Sequence, residues 1–308
     1  MHVVIMGSGG VGGYVGARLQ ASGCDVSFVA RGAHLEALRQ KGLALSSPLG
    51  DLHLPKVRVS DRPGDFEKAD VVLFSTKLYD MVEAVESIRP LIGAGTVVVP
   101  VLNGVDAPAV LAGILGKATV AGGVIHISSA IAEPGVIRHA GTFASVVAGA
   151  LDPAQVPALD AFRQALQKAG VDVTLSGDIM SDLWRKMIFL APFSAMTALV
   201  RAPIGVIRGD ERLSEMHRRA IAEAVAVGRA RGADLDPDAA ERTWGNTAKL
   251  PPGMVSSMLV DLERGRRLEL DWLSGALVRM GAELGVETPV HDWIATALGP
   301  WRMGKPDV

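Results

Sequence analysis

A few clusters in this 308-residue chain carry chemistry by residue type and spacing. The first lies in "HVVIMGSGGVGGYVGARL", where Gly7, Gly9 and Gly12 form G-x-G-x-x-G directly after an apolar run. That spacing suits a dinucleotide: one glycine for the tight turn, one for close approach of pyrophosphate, one for helix–strand packing. The turn Gly7, Ser8, Gly9, Gly10, Val11 and Gly12 would present backbone amides to the phosphates at a helix's positive end. The second cluster decides which dinucleotide. "DVSFVARG" ends in Ala30 and Arg31, where an NAD site usually carries Asp or Glu, and the nearest acid downstream is Glu36. A guanidinium matches a 2′-phosphate in charge and shape, so NADP(H) is the expected cofactor. Lys77 in "VVLFSTK" and Asn103 in "VVVPVLNG" follow two further strand-like runs, where open α/β sheets place their ligands. Each also has a plain structural alternative, a solvated lysine at a helix start and a turn residue before Gly104.

The helical half adds Lys186 within the apolar "SDLWRKMIFLAPFSAMTALV", and Ser257, Asp261 and Glu269 within "SSMLVDLERGRRLELDWLSG". His126 and His139 have no cysteine or carboxylate at ligand spacing, so no metal is expected.

These residues need a scaffold. Strand-like runs at Val3–Met6, Asp25–Ala30, Val57–Ser60, Val71–Thr76, Gly95–Leu102 and Thr119–His126 alternate with helical stretches at Val11–Ala21, His34–Gln40 and Met81–Ile88. That alternation predicts a parallel sheet covered on both faces. "EPGVIRHAGTFASVVAGA" reads as two strands joined through a turn, closing the sheet in antiparallel fashion; a helix at Val156–Ala169 and a strand at Val171–Leu175 complete the unit. Beyond Ile179 helical periodicity takes over, through Ile179–Val200, Leu213–Ala230, Ala239–Trp244, Met254–Glu263, Leu268–Leu284 and Val290–Leu298. Pro192 predicts a kink or break in the first of these, and Ser181 or Asp178 its cap. The predicted organisation is an α/β domain over 1–178 and an all-α domain over 179–308.

Bulk composition narrows the class. About half the residues are apolar, 21% are charged, and the net charge of −2 argues against a nucleic-acid surface. The single cysteine, Cys24, excludes an internal disulfide, and His2–Met6 is too short for a signal peptide's apolar segment, so a cytoplasmic setting is expected. No uncharged apolar run reaches the roughly 20 residues of a membrane span. Stripes bearing Trp184 and Trp272 would suit either core or a homodimer interface.

Taken in order, the glycine turn with Arg31, "STK", "LNG", "EPGVIRHAG", "LWRKM" followed by "TAL", "SSMLVDLERGRRLELD" and "GVETP" resemble the ketopantoate reductase (2-dehydropantoate 2-reductase) family from residue 3 to about residue 290. The resemblance implies a Rossmann domain joined to a helical domain like that of 6-phosphogluconate dehydrogenases. It implies NADPH-dependent reduction of a 2-oxo acid, ketopantoate to pantoate in pantothenate biosynthesis, in the cleft. By motif, Lys186 matches the family's general acid and Glu269 its paired carboxylate, which also reaches a ribose. Asn103 matches the residue touching cofactor and substrate, Ser257 the hydroxyl binding the substrate carboxylate, and Ser128 falls near a cofactor contact.

Physical logic agrees: hydride addition builds charge on the ketone oxygen, and an ammonium stationed there can protonate it. The chain departs from the family at three substrate positions. Asparagines normally stand four and eight residues after the lysine and about ten beyond the second; here they are Leu190, Ser194 and Ile204. Loss of those amides implies a more apolar pocket, so a bulkier or more apolar 2-oxo acid is an alternative substrate. A non-catalytic NADPH sensor on the same fold is a further alternative, ranked below the enzyme because both Lys186 and Glu269 are present.

Overall fold

A computed structural model of the chain describes residues 1–306, and the chain divides into two compact units. The first comprises Met1–Leu102 with Asp106–Ile179; the second comprises Asn103–Val105 with Met180–Val308, whose last two residues lie outside the described residues.

The first unit runs β1 (His2–Met6), α1 (Gly10–Ala21), β2 (Asp25–Val29), α2 (Gly32–Lys41), β3 (Leu43–Ser46), β4 (Leu52–Leu54), β5 (Arg58–Ser60), β6 (Val71–Phe74), α3 (Met81–Ser87), β7 (Val97–Pro100), α4 (Ala107–Leu115), β8 (Gly122–Glu133), β9 (Val136–Gly149), α5 (Val156–Lys168) and β10 (Asp172–Leu175). Five strands form a wholly parallel sheet in the order β5-β2-β1-β6-β7. Buried, mostly β-branched runs make up β1 from Val3 onward, β6 and β7, as a sheet covered on both faces requires. The chain leaves β1 in one direction to β2 and later returns to β6 on the other side. The order therefore reverses beside β1, whose carboxyl end opens into the glycine turn.

The second half of this unit corrects one expectation. Residues 136–149 are a single strand, β9; the turn lies earlier, at Pro134–Gly135, and β8 and β9 form a long antiparallel hairpin. The hairpin does not close the first sheet. It belongs to a separate one, in which β9 also pairs in parallel with β3 and β10, and β3 pairs with β4. The tight turn at Pro134–Gly135, with Gly135 at φ +84°, lets the chain reverse before "VIRHAG" rather than within it. Tyr14, Leu19, Phe28, Ile137 and Phe162 fill one core shared by both sheets.

The second unit is helical: α6 (Ile179–Val200), α7 (Ile204–Gly209), α8 (Glu211–Ala230), α9 (Ala239–Ala248), α10 (Ser257–Glu263), α11 (Ser274–Leu284) and α12 (Pro289–Leu298). Pro192 does not break α6, which runs as one helix because Ala191, Phe193, Ala195 and Met196 around it are buried in the core. Ser181 is not a cap: it lies inside α6, and its hydroxyl accepts the Asp234 N–H at 2.8 Å. By length and hydropathy α6 passes for a membrane span, but 67% of that stretch is buried within the protein, as for a core helix. Trp184 is core too, lying against Gly228 of α8.

Candidate active site

The glycine turn is shaped by backbone crowding. Gly7 sits at φ +95° between β1 and α1, a conformation costly for any residue with a Cβ. A Cβ on Gly12 would fall 2.3 Å from the Gly7 carbonyl oxygen, so α1 can approach β1 only with glycine there. Gly9 is the opposite case: a Cβ built on it meets nothing within 4 Å. Among the described residues no side chain caps the start of α1, and no acid stands in its first turn. An open surface over Gly9, facing the unneutralised positive end of a 12-residue helix, fits a pyrophosphate.

Polar contacts hold the turn in place. Ser8 donates both its N–H (3.0 Å) and its hydroxyl (2.9 Å) to the Val29 carbonyl, tying the turn to the end of β2. The Ser75 hydroxyl donates to the Gly7 carbonyl at 2.9 Å. His34, a residue the sequence reading overlooked, joins the turn to the β8–β9 hairpin. Its Nδ1 accepts the Gly135 N–H at 3.1 Å, which leaves Nε2 to donate to the Ser8 carbonyl at 2.9 Å. Burial lowers the His34 pKa, against the raising effect of that Ser8 bond, and keeps the ring neutral. The only sequence signal for it was a histidine on the apolar face of α2.

Around the turn stand the other expected cofactor residues. Arg31 follows β2 at the mouth of α2, with its side chain 58% exposed, and pairs with Asp80 at 3.5 Å. Lys77 is half-buried just beyond β6. Ser128 is exposed on β8, and the carbonyl of its neighbour Ser129 passes so close to Gly10 that a Cβ there would lie 2.3 Å away. Val11 lies partly exposed in the first turn of α1.

The second unit brings three expected residues together. Asn103 follows β7 by three residues, Lys186 lies on α6, and Glu269 immediately precedes the short turn Leu270–Trp272. The Lys186 ammonium donates to Asn103 Oδ1 at 3.2 Å, and Asn103 Nδ2 donates to Glu269 Oε2 at 3.0 Å. The amide is thereby oriented by both neighbours, its oxygen toward a cation and its nitrogen toward an anion. Gly104 seats this segment, its backbone packed against the Trp272 carbonyl. Burial pushes the Lys186 pKa down to about 8, while the Glu269 carboxylate works to raise it. The result is an ammonium, partly exposed as a residue, that gives up its proton far more readily than a free lysine.

The substrate-side residues divide. Leu190 is half-buried one helical turn beyond Lys186, and Ser194 follows on the same helix face but is 1% exposed, its hydroxyl unpartnered among the described residues. Ile204 is fully enclosed, so its side chain presents no surface to a ligand. Ser257 is exposed in the first turn of α10. The adjacent Ser256 is structural: it caps α10 through the Leu259 N–H (3.1 Å) and accepts the Thr197 hydroxyl of α6 at 2.7 Å. The buried His217 and His291 of this unit, both pushed by burial to about 4, stay neutral within the helix packing.

Comparison with known proteins matches this geometry to a family. The model of "Ketopantoate reductase PanE/ApbA" covers residues 3–153, and that of its C-terminal domain covers residues 178–300. The chain belongs to the ketopantoate reductase family. A 2-dehydropantoate 2-reductase of Archaeoglobus fulgidus is 34% identical, over 94% of each chain. An uncharacterized oxidoreductase, YkpB of Bacillus subtilis, is 31% identical over 99% of this chain and all of its own. The crystal structure of a family member from Ralstonia eutropha superposes with a TM-score of 0.90 at 31% identity, covering 98% of both chains. The chain is therefore an oxidoreductase, with a Rossmann-type sheet domain and a helical domain as the family has them.

Proposed function

We propose that the chain reduces a 2-oxo acid to the 2-hydroxy acid with NADPH, with ketopantoate to pantoate as the leading reaction. The observation that carries this reading is the Lys186–Asn103–Glu269 chain of hydrogen bonds, which begins at a lysine whose pKa burial pushes down to about 8. When bound, the cofactor supplies the hydride. The glycine turn, with Ser8 to Val11, holds its pyrophosphate, Arg31 its 2′-phosphate, and Lys77 and Ser128 flank it. Lys186 donates a proton to the carbonyl oxygen as charge develops there. Asn103 keeps the ammonium aimed, and Glu269 keeps it charged until it is needed, since a nearby carboxylate favours the protonated amine. Ser257, exposed in the first turn of α10, takes the substrate carboxylate in this reading.

One observation favours a second substrate. Leu190 offers a half-buried alkyl surface one turn from the reacting ammonium, where an amide would meet a substrate hydroxyl. An apolar branched 2-oxo acid suits that surface better than hydroxylated ketopantoate. The test is NADPH consumption with ketopantoate and with 4-methyl-2-oxopentanoate, alongside Lys186→Ala. A kcat/KM for ketopantoate at least about tenfold higher supports the leading reaction, and the reverse ratio the second. No turnover of either would contradict both.

A further inference from the structure

No acid ends β2, but a carboxylate from another segment stands beside the Arg31 guanidinium. In sites for unphosphorylated dinucleotide an acid at the end of the second strand takes the ribose hydroxyls. Here that position is Ala30, followed by Arg31. Yet Asp80, 49 residues on at the mouth of α3, puts Oδ2 3.5 Å from the Arg31 guanidinium. The two stand beyond the carboxyl ends of β2 and β6, the strands on either side of β1, and Ser8 ties the turn after β1 to β2. Asp80 precedes α3 but makes no side-chain capping bond to it, so its carboxylate is not committed to the helix. Both side chains are solvent-accessible, at 58% and 36%, and an exposed pair of this kind separates at little cost. A ligand can therefore engage either member.

We propose that Asp80 is a cofactor-specificity residue: it supplies the ribose-directed carboxylate, so that the site accepts NADH as well as NADPH, with Arg31 and Asp80 pulling the ratio in opposite directions. A 2′-phosphate gains the guanidinium but brings two negative charges toward Asp80, a repulsion between like charges. A free 2′-hydroxyl has no use for the guanidinium and donates to the carboxylate, a charge-assisted bond. The inference rests on the assignment of the glycine turn and Arg31 to the cofactor under the proposed function.

The experiment is direct fluorescence titration with NADPH and with NADH, without substrate, of the wild type, Asp80→Asn and Arg31→Ala. Thermal unfolding of each variant checks that the fold is intact. The wild type is expected to bind both cofactors with dissociation constants within about tenfold of each other. Asp80→Asn should tighten NADPH, weaken NADH and move their ratio by about tenfold, and Arg31→Ala should weaken NADPH alone. If Arg31→Ala weakens NADPH while Asp80→Asn leaves the ratio unmoved, the role of Asp80 is overturned and the cofactor site stands. If wild-type protein binds neither cofactor, or Arg31→Ala leaves NADPH unaffected, the cofactor assignment fails and this inference with it.

Discussion

The two halves of the chemistry are built on different principles. The glycine turn is a backbone device: six consecutive residues, Gly7 to Gly12, whose function depends on what their side chains leave out. The Lys186–Asn103–Glu269 cluster is a side-chain device drawn from segments 83 and 166 residues apart, and it depends on a pKa set by burial against charge. A local backbone site tolerates little change in shape. A dispersed side-chain site tolerates little change in electrostatics.

That contrast can be broken at several points. The largest effect is expected for Lys186→Ala: loss of the proton donor should lower kcat by about 10²–10⁴-fold while the dissociation constant for NADPH, read by fluorescence, stays as in the wild type. Within the turn, Gly9 and Gly12 should separate. Gly9→Val adds a side chain where nothing stands in its way, so the melting temperature should hold while NADPH binding weakens by about tenfold or more. Gly12→Ala pushes a methyl against the Gly7 carbonyl and should cost about 1–3 kcal/mol of stability in denaturant unfolding. The smallest effect is expected at the substrate face. Leu190→Asn should shift the ratio of kcat/KM for ketopantoate over an apolar 2-oxo acid toward ketopantoate by about threefold to tenfold.

The same contrast explains what could be read from the sequence. The glycine turn, the alternating strands and α6 were legible because their signals are local: spacing, periodicity, a missing acid after β2. The second sheet was not. β3 and β4 are four and three residues long; β3 finds its place by pairing with β9, about 90 residues away, and β4 by pairing with β3. Lys186 and Glu269 were singled out on family motifs, because nothing in their own segments says that Asn103 will link them. His34 had only its place on the apolar face of α2 to mark it, and its bond partner Gly135 is 101 residues distant; Asp80 meets Arg31 across 49 residues. Ser256 and Ser257 are adjacent in sequence, and only packing assigns one to the helix cap and leaves the other exposed.

The central claim is that an acid lysine, depressed by burial and partly restored by Glu269, protonates the substrate. Its most direct test is the pH dependence of kcat for 2-oxo acid reduction in the wild type and in Glu269→Gln. Lys186 is active when protonated, so the wild-type rate should hold below pH 8 and decline as pH rises through about 8. Removing the carboxylate that favours the ammonium should move that decline to lower pH by about one unit. A limb that stays in place in Glu269→Gln, or a wild-type rate still flat well above pH 8, would contradict the account.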